Sequence, residues 1–160
     1  MHLNKFKDDF FLFLEAGFIA VNQADEDAAV KLFKAAQLLD PQQSLPQIGF
    51  GYLHLHKLEL KQACQALQGV LDKEPNNEMA NAFLGICMGL SPDHIADGEK
   101  ILEKSVDSKD PLIKTLGHTA LDFIEKFVKK TPGPAAPALH KDPKKPKHKC
   151  LWTSLMVSWP

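Results

Sequence analysis

The chain has 160 residues, 44% of them apolar and 24% charged, enough to bury a core of one domain's size without metal ions or cross-links. It contains no arginine, which removes the planar fork that reads phosphates and base edges, so nucleic acid is excluded as an expected partner. Charge is divided along the chain: residues 1–130 carry 14 Lys against 19 acids (net −5), and residues 131–160 carry 5 Lys against 1 acid (net +4).

Hydrophobic periodicity and end signals predict seven helices and no sheet, at about 4–22, 26–39, 44–57, 60–73, 78–90, 93–107 and 111–130. Within the first of these, Phe10 to Val21 is apolar enough to look like a secretory core. Asp8 and Asp9 before it, Glu15 inside it and the lack of a small-residue cleavage pattern argue instead for a folded helix. Ser44 with Gln47 has the form of a capping box opening the third helix. Ser91-Pro92 and Asp110-Pro111 read as N-cap and N1 proline of the sixth and seventh. The seventh helix spaces Leu112, Leu116, Ala120, Phe123 and Phe127 by three or four, a stripe expected to cap the open end of a stack. Residues 131–149, rich in Pro, Ala and Lys, are expected to be a disordered linker. Cys150 to Pro160 is apolar with two Trp, too short to cross a bilayer and unlike the rest. It reads as a short docking peptide or as residues foreign to the native protein, the break in composition favouring the second.

Across these elements runs a period of 34 residues. Gly17, Gly51 and Gly85 share it, as do Ala29 and Ala63, and Pro41 and Pro75. The first unit, about 10–43, places Phe13, Gly17 and Ala20 on one helix and Ala29, Phe33 and Ala36 on the next, before Pro41. The second, 44–77, repeats this with Phe50, Gly51, Ala63, Leu67, Val70 and Pro75. A third, 78–111, has Leu84, Gly85 and Met88, then Gly98, Leu102 and Ser105. Small residues at these places let the two helices of a pair approach closely, since any larger side chain would hold them apart.

This pattern resembles the tetratricopeptide repeat. The resemblance implies an all-α fold in which three helix pairs stack as a right-handed superhelix, residues 1–130 forming the repeat domain with a capping helix at 111–130. In such a stack the first helix of each pair lines the concave surface. Inward positions of those helices are Phe11, Leu14, Phe18 and Val21, then Leu45, Ile48, Tyr52 and Leu55, then Met79, Ala82 and Ile86. All eleven are uncharged, a patch that a monomer seldom leaves to water, so a partner polypeptide is expected there. Covering ~600 Å² would yield ~15 kcal/mol gross at ~25 cal/mol per Å². Ordering and association cost ~4 to 15 kcal/mol of that, which leaves micromolar to nanomolar affinity. Glutamate in place of Leu14 or Ile48 is expected to abolish binding without loss of helix. The carboxylate-clamp use of such repeats, docking acidic heat-shock-protein tails, does not fit, because Leu14 and Phe18 stand where Lys, Asn or Arg would be required.

The architecture further resembles the small cytosolic chaperones of bacterial type III secretion. The needle-subunit type is preferred over the translocator type, because the first repeat begins near Phe10 and leaves no room for a preceding dimerisation helix. The resemblance implies as partners the amphipathic helix of a secreted needle-type subunit and a small helical co-chaperone, in the cytoplasm, with no stable membrane insertion. No phosphate loop, HExxH motif or nucleophile elbow is present, so neither enzymatic activity nor a cofactor is expected. His54 and His56, two apart, face different sides of a helix and do not form a metal pair. Cys64 and Cys87 read as small buried hydrophobes, and the odd total of three cysteines gives no disulfide framework.

Overall fold

The computed structural model describes residues 9–130, so the expectations for residues 1–8 and for the tail 131–160 lie outside the described residues. The described residues are all-α: α1 (Asp9–Asn22), α2 (Glu26–Leu39), α3 (Leu45–His56), α4 (Leu60–Leu71), α5 (Glu78–Gly89), α6 (Ile95–Val106) and α7 (Pro111–Phe123). A π-helical turn, Ile124–Val128, continues α7 and closes with the Lys129 N–H donating to the Ile124 carbonyl at 3.0 Å. No helix among them is long and apolar enough to cross a membrane.

Helix starts are set by short polar side chains. Asp25, Asn77 and Asp110 accept from the N–H groups of Ala28, Ala80 and Leu112 at 2.9, 3.0 and 2.8 Å, each satisfying a donor that the first turn leaves free. Two expected starts differ. Ser44 makes no side-chain cap; after Asn77, it helps hold the Glu74 carboxyl below its ordinary range, and Pro46 lies in the first turn of α3. Ser91-Pro92 begins a turn, and α6 starts only at Ile95, where the His94 carbonyl accepts from Gly98 N–H at 2.9 Å.

The 34-residue period reappears in the backbone. Ala24 and Leu58 both hold left-handed conformations, φ 58° and 57°, directly after α1 and α3. The next N–H groups, of Asp25 and Glu59, reach back to the Ala20 and His54 carbonyls at 2.9 Å in both cases, the six-to-one bond of a Schellman ending. After α2 and α4 the matching pairs are Asp40 N–H to Ala36 and Glu74 N–H to Val70. Each helix packs on its successor, and α1, α3, α5 and α7 also pack in sequence on one another.

The core explains the glycines. Phe33 of α2, wholly buried, sits so close to α1 and α3 that a Cβ on Gly17 or on Gly49 would come within 2.5 Å of its ring. Phe18 and Phe50 meet the same ring edge-on at 5.3 and 5.5 Å. At Gly51 and Gly85 the close neighbours are Leu67 at 2.7 Å and Leu102 at 2.8 Å, both fully buried. Two apolar clusters result, one around Phe33 between α1, α2 and α3, the other around Leu67 and Val70 between α3, α4 and α5. Full burial of one such Leu or Phe side chain stabilises by ~1.5–3 kcal/mol.

Candidate partner-binding site

The odd-numbered helices leave an apolar trough. One cleft of ≈400 Å³ is lined by Phe18 and Asn22 of α1, Tyr52 of α3, Met79 and Phe83 of α5, and Leu112, Ile113 and Leu116 of α7. A second, of ≈280 Å³, lies beside it between Ile86 and Leu90 on one side and Leu116, Thr119, Ala120, Phe123 and Ile124 on the other. Leu116 borders both, so they form two halves of one trough. No lining residue carries a charge, and none comes from α2, α4 or α6.

An aromatic row lines its wall. Phe18 to Tyr52 and Tyr52 to Phe83 have ring centroids 5.6 and 5.2 Å apart, and His56 meets Tyr52 edge-on at 4.5 Å. The Tyr52 hydroxyl donates to Asn22 Oδ1 at 2.8 Å, so the two polar groups at this point satisfy each other. Partial burial pushes the phenol above its ordinary range, and the hydroxyl stays neutral through the physiological range.

The eleven residues expected to line the groove divide. Phe18, Tyr52, Met79 and Ile86 do line it. Leu14, Val21, Ile48, Leu55 and Ala82 are buried, at most 8% exposed, because the stacked odd helices cover that flank of one another. They belong to the core and offer nothing to a ligand. Glutamate at Leu14 or Ile48 would therefore place a charge in packed interior and unfold the chain, which corrects the mutational expectation above. Leu45 is half-buried and packs against both apolar clusters. Phe11 is 63% exposed and edge-on to Phe10 at 5.2 Å, away from both clefts.

The seventh helix is turned relative to expectation. Its packing stripe is Ile113, Gly117 and Ile124: a Cβ on Gly117 would stand 3.1 Å from Ser105 and 3.3 Å from the Leu102 carbonyl of α6, and Ile124 is wedged against Gly89 of α5. The stripe read as a cap faces the trough or water, with Leu112 79%, Phe123 47% and Phe127 58% exposed. So α7 covers α5 and α6 with a different stripe from the one expected, and the expected stripe extends the trough. Phe83, Asn22 and Leu90 were also not anticipated as lining residues. Asn22 and Leu90 occupy one equivalent place in the first and third units, sixty-eight residues apart, a signal the period contains.

Outside the trough a polar cluster ties α2 to the turn between α3 and α4. His54 Nδ1 lies 2.7 Å from Glu59 Oε2, and Lys57 Nζ bridges Glu26 and Glu59 at 2.7 and 3.0 Å. His54 and then Lys57 hold the Glu59 carboxyl below the usual carboxylate range. Glu26 and then Glu59 raise Lys57. Cys64 and Cys87, on α4 and α5, are both buried, and their thiols interact. The neighbouring sulfur and then burial push the Cys87 thiol far up, so it stays protonated. Comparison of the chain with family models, with curated proteins and with solved structures gives no match in any of the three.

Proposed function

We propose that this chain is a tetratricopeptide-type repeat protein whose helix pairs stack in a right-handed superhelix, and that it holds an amphipathic helix of another polypeptide in the trough. The observation that carries the reading is that every lining residue of both clefts comes from the odd-numbered helices or the residue directly after one, and none is charged. Support for the repeat comes from the 34-residue recurrence of glycines and of the turns at Ala24 and Leu58. A trough without ionic groups suits the apolar face of a helix and disfavours an acidic or basic peptide, whose charges would lose hydration without gaining a partner.

The specific role we propose is that of a cytoplasmic holding chaperone of the type III secretion kind. Its cargo would be the assembly-prone helix of a needle-type subunit, with a small helical co-chaperone completing the complex. Three repeat-like pairs followed by one further helix support that narrower assignment. A permanent scaffold role is the second reading, favoured by an additional apolar patch on α1, where Phe11, Leu12 and Ile19 are more than half exposed.

The test is titration of the full chain with a dye-labelled amphipathic peptide whose leucines recur at i, i+3, i+4 and i+7, followed by fluorescence anisotropy. Micromolar or tighter binding is expected, weakened at least tenfold, or ~1.4 kcal/mol, by Leu112→Glu and by Met79→Glu. Equal binding by the native chain and both variants refutes the trough as the site. Co-expression with a needle-type subunit then separates the two roles: a soluble stoichiometric complex is expected of the chaperone, and an insoluble, unassociated subunit refutes it.

A further inference from the structure

The sequence contains one segment whose chemistry matches the trough. In Leu151 to Trp159, the residues Trp152, Leu155, Met156 and Trp159 fall at i, i+3, i+4 and i+7, the spacing that puts four apolar side chains on one face of a helix. Thr153, Ser154 and Ser158 fall off that face, together with one apolar residue, Val157. We propose that the chain's own segment 151–159 occupies the trough as a helix, with Trp152 and Trp159 each entering one of the two clefts. The proposal rests on the reading of the trough as a receptor for an apolar helix, and it takes Cys150 to Pro160 as the docking peptide rather than as foreign residues.

The dimensions agree. Along α7 the two clefts are offset by about one heptad: Leu112 borders the first where Thr119 borders the second, and Leu116 the first where Phe123 borders the second. Seven helical residues span ~10.5 Å, and the two tryptophans are themselves seven residues apart. The twenty residues between Lys130 and Leu151 reach at most ~70 Å, against ~20 Å for the length of α7. Either direction of the docked helix is therefore accessible. Charge works the same way, since residues 131–160 carry a net +4 and residues 1–130 a net −5. A tethered segment competes at millimolar effective concentration, so an intrinsic affinity of only ~0.1 mM would keep the trough about nine-tenths occupied until a tighter helix displaces it.

The chain contains two tryptophans, both in this segment, so intrinsic fluorescence reports its location directly. Emission and acrylamide quenching are measured on the native full chain, on the same chain in denaturant, and on Leu112→Glu and Phe123→Glu, whose parent side chains are exposed enough that folding survives. Circular dichroism checks that both variants keep their helix. Blue-shifted, quench-protected emission is expected in the native chain, independent of concentration and lost in both variants. Tryptophans as exposed as in denaturant overturn the proposal, as does protection that persists in both variants. Protection that vanishes on dilution also overturns it, in favour of a second copy's segment. The dye-labelled model helix is titrated into Trp152→Ala/Trp159→Ala alongside the native chain, and about tenfold tighter binding to the double variant is expected from removal of the competitor. Equal binding to both overturns the self-occupancy and leaves the trough's role standing. Binding to neither overturns both.

Discussion

Gly98 lies where α5 and α6 approach most closely, and an alanine there tests whether backbone contact or helix propensity decides stability. A Cβ at this position would stand 2.7 Å from the Gly85 carbonyl oxygen and 2.8 Å from Gly89 Cα, and nearer still to the Gly89 nitrogen. All three are backbone atoms, so no side chain can turn aside, and the helices must separate by a large part of an ångström. A gap of 0.5–1 Å forfeits about a quarter to a half of each dispersion contact around it, and overpacking of this kind costs ~1–3 kcal/mol. Alanine's helical advantage of ~1 kcal/mol offsets only part of a cost at the upper end of that range, leaving a net loss of ~2 kcal/mol. Gly69, exposed on α4 with nothing within 4 Å of its Cβ direction, gains the propensity without the clash, about 0.5–1 kcal/mol. With an unfolding entropy of ~0.25 kcal/mol/K for a domain of about 120 residues, Gly98→Ala lowers Tm by ~8 °C and Gly69→Ala raises it by ~3 °C. Thermal and urea melts followed by circular dichroism measure both. A Gly98→Ala protein melting at or above the native temperature, with unchanged urea m-value, would refute the packing argument.

Leu58 is exposed yet held at φ 57°, so Leu58→Gly should stabilise by about 0.5–1 kcal/mol, since relief of ~1–2 kcal/mol of left-handed strain exceeds the entropy lost; a lowered urea midpoint would contradict this. Glu59 is held below its ordinary pKa by His54 and Lys57, so its contribution to stability is complete above the usual carboxylate range and is lost as pH falls through the lowered value. Urea midpoints of Glu59→Gln should accordingly fall less than those of the native chain across acid pH, and parallel pH profiles would exclude the linkage. In a Cys150→Ser background, Cys64 and Cys87 should react with a thiol reagent at mildly alkaline pH only as fast as the fold opens, accelerating sharply in denaturant; prompt labelling of the native protein would show the pair is not buried as described.

Helix positions were largely legible because they depend on local chemistry. The 3.6-residue pattern and a downstream proline bound α2 at Glu26–Leu39 as expected, and Asp110 caps α7 as its place before Pro111 implies. Ser44 and Ser91 failed as caps for a non-local and a local reason: the first lies beside Glu74, thirty residues further along the same unit, and the second is followed by a turn that delays the helix to Ile95. The trough was only half legible. Periodicity identifies a face of a helix but not the neighbour that covers it, so Leu14 and Phe18 look equivalent in sequence although only Leu14 is buried beneath the stack. On α7 two apolar stripes compete, and the one containing Gly117 wins because it alone lets the helix settle against α6. Gly117 stands two periods of 34 after Gly49, which likewise faces the helix of the preceding pair, and that correspondence was available in the sequence.

The ring of Phe33 is shared property. Glycines from two successive pairs, Gly17 and Gly49, both close on its Cε1, so neither pair has a complete interior without the other. Cooperativity between neighbours is therefore built in at the amino-terminal end, and a deletion that removes the first pair would strip the second of its wall. At the opposite end α7 rests chiefly on α5 and α6, with no following α-helix behind it among the described residues. Unravelling on heating or in mild denaturant should then proceed from carboxyl to amino end, with α7 exchanging its amide hydrogens well before α2.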